Sequence, residues 1–336
     1  MMEETPLHFA FLLKTYAPHL NYVEKLLDSI VRYNLDSIHT FIVAPSTDVQ
    51  IFESLNYPNT TVLCEDKIPT ILTSKDVSGI RPGYINQEII KLAFHRMNLV
   101  HHYLCLDSDG EFLRDFKLSD FVTLSGQPYT ILIEDNEIQI DSNYFERYWK
   151  DRKKSQDQIL RFLGMDTNEV WLNCHGFQIL SADKLRLFDM NILKPHNFDY
   201  IDLMKISPYE FSWYNYYLQT LKIPLRIREP LFKVFHTENQ LAMARFSQLN
   251  YEDISRGYLG VCINSNFLGN NGAISLEESI FVTQSRFLKY NELFKVILCK
   301  LVIDFSKPKI LTYRVLSALG MGALLRLFSS IKRGFR

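Results

Sequence analysis

Two carboxylates one residue apart, Asp107 and Asp109, follow the apolar run Tyr103-Leu104-Cys105-Leu106. That run reads as a short buried strand. Along an extended chain, residues i and i+2 point to the same face. Both carboxylates could therefore aim at one point beyond the strand's end, where open α/β sheets bind their ligands. Two convergent carboxylates repel unless a positive charge sits between them. A hard divalent cation with oxygen ligands, shared with a diphosphate, suits that geometry. The alternative is that the pair caps a strand and opens a turn, since Asp109-Gly110 is a turn signal.

The elements before this stretch read as a nucleotide-binding unit. Leu7 to Leu13 is a strand candidate with Lys14-Thr15-Tyr16 at its end. An amphipathic helix runs from Leu20 to Tyr33, with Val23, Leu26, Leu27 and Ile30 on one face. Ile38–Val43 and Thr61–Cys64 are further strands, with a short helix over Asp48–Leu55 between them. The alternation βαβαβ implies a parallel sheet flanked by helices. No Gly-x-Gly-x-x-Gly follows the first strand, and no Walker motif is present. Residues 67–84 form a long loop, with Pro69, Gly79 and the turn Arg81-Pro82-Gly83; long loops in compact domains are often functional. A helix over Asn86–Asn98 then leads directly into the Asp-Ser-Asp strand. Its buried stripe is Ile89, Ile90, Ala93, Phe94 and Met97, and Gln87, Lys91 and His95 share another face. We read Lys91 first as a solvated helix-face lysine; the alternative is a phosphate ligand near the strand end.

The segment Tyr103-Leu104-Cys105-Leu106-Asp107-Ser108-Asp109, preceded by a helix carrying Gln87 and Lys91, resembles the DxD signature of GT-A glycosyltransferases. The wider context, with Glu111-Phe112-Leu113-Arg114 following, is similar to a bacterial family of DxD-type transferases associated with surface polysaccharide synthesis. The resemblance spans roughly residues 7–268. It implies an α/β fold: a GT-A-like, Rossmann-type mixed sheet flanked by helices. It implies a nucleotide-sugar donor, with Mn²⁺ or Mg²⁺ held by Asp109 and bridging the diphosphate. Asp107 would hold the ribose, or the metal through water. The nucleoside would lie near Lys14, Thr15 and Tyr16.

The second half offers acceptor-side candidates. Tyr129–Ile133 is a strand ending in Glu134-Asp135-Asn136-Glu137, read first as a solvated loop and otherwise as part of an acceptor pocket. Tyr144–Phe162 is a charged helix ending at Gly164; its Arg147, Lys150, Arg152, Lys153 and Lys154 read as a solvated face. Val170–Leu180 is an apolar strand interrupted by Asn173-Cys174-His175-Gly176. By the resemblance, His175 is a candidate for binding acceptor hydroxyls; otherwise it is a structural histidine. Ser207-Pro208-Tyr209-Glu210 opens an aromatic helix. There Trp213 and Asn215 depart from the acidic residues of the family's pattern, which leaves Glu210 as the remaining acid. Ser207 at N-cap, Pro208 at N1 and Glu210 at N3 also fit a capping box, and capping is read ahead of catalysis. By order along the chain, His236 matches the late histidine that completes the metal shell in many GT-A enzymes; otherwise it is a surface residue after a strand. Lys233 would point to the opposite face. Val261 to Asn266 matches the family's late strand.

The 336 residues are 47% hydrophobic and 22% charged with a net charge of -1, which gives no case for nucleic acid as a partner. Five scattered cysteines without metal-ligand spacing read as reduced core residues of a cytosolic protein. The N-terminus lacks a basic region, and its apolar run is too short for a signal peptide. From Lys295 onward, nine basic residues face one acid, Asp304. The longest uncharged run there, Val315 to Leu325, is 11 residues, where a spanning helix needs about 20. This reads as basic amphipathic helices on an anionic membrane surface; the alternative is a helical pair packed on the domain.

The sequence reading is thus a catalytic domain over 1–270 and a helical, membrane-associating tail over 271–336. The protein would be a metal-dependent glycosyltransferase, peripheral on the cytoplasmic face of the membrane, with a glycan or lipid-linked glycan as acceptor. A nucleotidyltransferase and a non-catalytic polysaccharide-assembly scaffold are the alternatives.

Overall fold

The computed structural model describes residues 5–132, 142–167 and 176–265. A five-stranded sheet in the order β3-β2-β1-β4-β7 forms its centre. β1 (Leu7–Lys14), β2 (His39–Ala44), β3 (Thr60–Cys64) and β4 (Val100–Leu106) are parallel; β7 (Ile179–Ser181) runs antiparallel to β4. The first two are joined through α1 (Leu20–Tyr33), β2 and β3 through α2 (Val49–Glu53), and β4 is entered from α3 (Pro82–Ala93). Strands buried on both faces read as continuous apolar runs. Phe9 to Leu13, Phe41 to Ala44 and Tyr103 to Leu106 are such runs, and all are buried.

Leu13 stands opposite both Ile42 and Leu106. The chain therefore leaves β1 and β4 at one level. These are the neighbouring strands at which the order reverses, the place where doubly wound sheets bind ligands.

A second sheet of three strands sits beside that end. β10 (Gly260–Ile263) pairs antiparallel with β5 (Gly110–Phe112) and parallel with β9 (Phe232–Phe235). These directions bring the residue before β5 and those after β9 and β10 to one edge: Asp109, His236 and Asn264-Ser265. A two-stranded ladder joins β6 (Tyr129–Ile131) to β8 (Arg226–Arg228). The helices α4 (Ser142–Phe162), α5 (Ala182–Phe188), α6 (Lys194–His196), α7 (Tyr200–Ile206) and α8 (Glu210–Thr220) follow in order; α9 (Glu238–Phe246) and α10 (Tyr251–Gly257) separate β9 from β10.

The helix before β4 starts earlier than its apolar pattern indicates. Pro82 takes the first turn, where its missing N–H costs nothing. The capping box at Ser207, Pro208 and Glu210 does not form. α8 begins at Glu210 itself with Tyr209 as N-cap, and the Ser207 hydroxyl has no partner. The glutamate is drawn away by a lysine. Cys64, Cys105 and Cys262 are free thiols; Cys174 and Cys299 lie outside the described residues. So does the tail over 271–336. No described helix is long and apolar enough to cross a membrane.

Candidate functional site

The carboxyl ends of β1 and β4 and the edge of the second sheet face one cleft of about 600 Å³, within the range of small-molecule sites. Lys14, Thr15, Tyr16, Lys91, Asp107, Asp109, Glu210 and His236 all line it. His175 lies outside the described residues, as do Glu134, Asp135, Asn136 and Glu137.

Asp107 lies just past β4. Its Oδ1 accepts from Gln87 Nε2 at 3.2 Å and stands 3.1 Å from Lys91 Nζ. The same ammonium donates to Glu210 Oε1 at 3.1 Å and lies 4.9 Å from the Phe211 ring centroid. Lys91 is only 3% exposed, so its reading as a solvated helix-face lysine is corrected. The face of α3 that carries Gln87 and Lys91 is turned toward the sheet end, not toward water. Burial alone would lower the Lys91 pKa, but Asp107 and Glu88 beside it hold it above its ordinary value.

Asp109 is held differently. Its Oδ2 accepts the Ser265 amide at 2.8 Å, and its Oδ1 accepts the Cys262 thiol at 3.2 Å. Burial and the neighbouring Asp107 push its pKa up, and the bonds from Ser265 and Cys262 pull it back. Between the two aspartates, Ser108 Oγ stands 2.6 Å from His19 Nδ1. Burial lowers the pKa of that imidazole. Gly176 has φ +75°, and a Cβ there would come within 2.7 Å of Asp107 Oδ2. Only glycine lets the chain pass this close to the carboxylate.

At the end of β1, Lys14 pairs with Glu65 at 2.8 Å and donates to the Thr15 carbonyl at 3.0 Å. The Thr15 hydroxyl is buried without a partner. The face split expected for β9 holds: Val234 and His236 line the cleft, while Lys233 lies 6.0 Å and 5.9 Å from the Phe235 and Tyr258 ring centroids.

Trp213 and Asn215, which departed from the family pattern, are structural. Trp213 Nε1 donates to the Ser207 carbonyl at 2.9 Å, and Asn215 Oδ1 accepts from Gln178 Nε2 at 2.8 Å. Neither lines the cleft. Arg152 corrects another expectation. It leaves the charged face of α4 to lie 3.4 Å from the Tyr209 ring centroid, and both residues line the cleft. Arg81, Tyr84, Glu88 and Tyr148 also line it. Of the cleft residues, Gln87 and Lys91 carried a signal in the sequence, a shared helix face at i, i+4 spacing. Arg152 carried none, because its aromatic platform is 57 residues away.

The donor set bears on a divalent cation in two ways. Among the described residues no three His, Cys, Asp or Glu side chains are grouped to hold an ion by themselves. Asp109, however, is a half-buried carboxylate with no salt-bridge partner among the described residues, and it stands beside a second carboxylate. Mg²⁺-type sites often take one or two carboxylates and complete their shell with water and substrate phosphates. The residues present fit that kind of site.

The cleft and the sheet define an α/β protein with one carboxylate-rich site at the switch point of its parallel strands. The chain belongs to DUF6492, a family of unknown function, which it matches over residues 10–254. No curated protein matches it.

Proposed function

We propose that this protein is a metal-dependent glycosyltransferase of GT-A type that moves a sugar from a nucleotide-sugar donor to a surface-glycan acceptor. One observation carries the reading. The ends of β1 and β4 leave the sheet at one level and face one cleft, with Lys14, Thr15 and Tyr16 on one side and Asp107 and Asp109 on the other. On this reading the first group holds the nucleoside and the second the diphosphate end. Asp109, with Asp107 and His236 beside it, would hold a divalent ion, whose chemistry there would be Lewis acidity toward the leaving diphosphate. The chain's own residues prepare that place. Lys91 and Gln87 fix Asp107, and the Ser265 amide and Cys262 thiol orient Asp109. Tyr209 and Arg152 offer a flat wall for a sugar ring. Attachment to an anionic membrane surface through the basic tail over 271–336 belongs to the same proposal.

Thermal-shift measurements with UDP, GDP, CMP and their sugar conjugates, with and without Mn²⁺, test it. A ligand at 100 times its Kd stabilises the native state by about 2.7 kcal/mol, a rise of several degrees in Tm for a chain of this size. The expected result is a rise that needs both Mn²⁺ and Asp109 and is lost in Asp109→Asn. Failure of every nucleotide to shift well-folded protein would sink the reading. A shift by nucleoside triphosphates alone would point to nucleotidyl transfer.

A further inference from the structure

Glu88 lies in the second turn of α3, one residue after Gln87 and three before Lys91, and it lines the cleft. It is 2% exposed, and its Oε2 has no hydrogen-bond partner. Each other acid of the cleft has a hydrogen bond or, for Glu65, whose Oε2 also lacks a hydrogen bond, an ion pair. Asp107 and Glu210 share Lys91, Glu65 takes Lys14, and Asp109 takes the Ser265 amide and the Cys262 thiol. A buried polar atom without a partner is costly. A carboxylate oxygen is satisfied by a cation or a hydrogen-bond donor; the cation of this reading belongs to Asp109, and on the wall of a ligand cleft the donor arrives with the ligand. A hydroxyl is the donor a sugar brings.

Resting on the transferase reading, we infer that Glu88 is the general base that takes the proton of the acceptor hydroxyl, and that transfer inverts the anomeric centre. The acceptor oxygen bonds to the anomeric carbon. The bond from that carbon to the β-phosphate oxygen breaks, and its electron pair leaves on the nucleoside diphosphate. The hydroxyl proton ends on Glu88. A single displacement of this kind inverts. Glu210 is the poorer base, because Lys91 donates directly to its Oε1 at 3.1 Å. Glu88 sits among Lys91, Asp107, Arg152 and Tyr84.

The test is release of nucleoside diphosphate from UDP-glucose, UDP-galactose, UDP-N-acetylglucosamine and GDP-mannose with Mn²⁺, with water as acceptor. It is run on the full chain, Glu88→Gln and Glu88→Asp, alongside the thermal shift with the bare diphosphates. Removing a general base costs typically 100-fold or more in rate. The expected result is a loss of about that size in kcat for Glu88→Gln, with KM and the nucleotide shift within threefold of wild type. Glu88→Asp should recover part of the rate, and ¹H NMR of the first-formed sugar should show the inverted anomer. Release by Glu88→Gln within threefold of wild type overturns the inference and leaves the transferase reading standing. A retained anomer does the same. Wild type that binds nucleotide and metal but releases no diphosphate also overturns it, because a base at this place would deprotonate water. Absence of any metal-dependent nucleotide shift in wild type overturns both readings. Glu88→Gln is isosteric and removes a buried charge; if it does not fold, Glu88→Asp alone decides, with a loss under threefold overturning the inference.

Discussion

Lys91 is the residue on which the electrostatics of the cleft turn. Its ammonium stands 3.1 Å from Asp107 and 3.1 Å from Glu210, almost out of reach of water. Taking one partner from such a group leaves uncompensated buried charge, which costs about 3–5 kcal/mol. Lys91→Met should therefore lower stability by roughly 3 kcal/mol in urea denaturation. Adding Glu210→Gln should return part of the loss, since the amide needs no counter-charge. A single variant within 1 kcal/mol of wild type would show that the triad is not formed in solution. Asp109→Asn should act in the opposite sense. It removes a carboxylate that burial and Asp107 already disfavour, so Tm without ligand should hold or rise while metal-dependent nucleotide binding falls at least about tenfold, as for weakened metal ligation.

Among the elements, the small sheet of β5, β10 and β9 makes the site more than a strand end. It turns three segments distant in sequence into one edge, so that Asp109, His236 and Ser265 face the same space. Gly260 is where the three strands close on one another. A Cβ there would come within 2.3 Å of the Phe232 ring and 2.5 Å of the Glu111 carbonyl oxygen. Backbone cannot yield as a flexible side chain can, and overpacking costs about 1–3 kcal/mol. Gly260→Ala should cost about that much and weaken Mn²⁺-nucleotide binding, because β10 would carry Cys262 and Ser265 away from Asp109. Calorimetry of the variant with and without ligand checks both effects. On the other side of α3, Arg96 pairs with Asp189 and Asp199, and Asp199 also accepts from Thr70 and the Ile71 amide. That network ties the loop before α3 to the start of α7.

Across the whole molecule the cleft should leave its mark on stability against pH. The folded pKa of Glu88 is raised from 4.5 to about 7. Folding then favours the protonated form, so this stabilisation is full below 4.5 and is lost as pH rises to about 7. The amplitude is at most about 3 kcal/mol. Asp189 has the opposite sign. Burial disfavours its charge, but bonds from His95, Arg96 and Tyr200 outweigh that and hold it at about 2. Its stabilisation is present above pH 3.8 and is lost as pH falls through about 2. Solvent screening of this partly exposed group limits it to about 1 kcal/mol. Urea midpoints between pH 2 and 8 should therefore peak near pH 4 to 5. The slope between 4.5 and 7 should shrink in Glu88→Gln; an unchanged slope would mean that Glu88 does not titrate in that window.

Much of the sheet is legible in the sequence alone. The apolar runs of β1, β2 and β4 are strands because only strands buried on both faces tolerate such unbroken hydrophobicity. The helix α1 spans the residues its period marks, Leu20–Tyr33. Asp107 and Asp109 were found because their spacing and their place after a strand are both local properties. The surroundings of Lys91 and Arg152 are not legible in the sequence for the converse reason. A helical period identifies which residues share a face but not what that face meets, and a charged stripe looks solvated until the other wall is known. The capping box at Glu210 failed on the same ground, since a buried lysine 119 residues away offers a carboxylate more than a helix N-terminus does. Glu88, beside Gln87, bears no mark in the sequence, because nothing there distinguishes a buried carboxylate from an exposed one. Periodicity and strand-end chemistry, set by neighbours in the chain, determined the elements and the aspartate pair. Which charges lose their water, which find partners and which are left without one was decided only when strands distant in sequence closed the cleft.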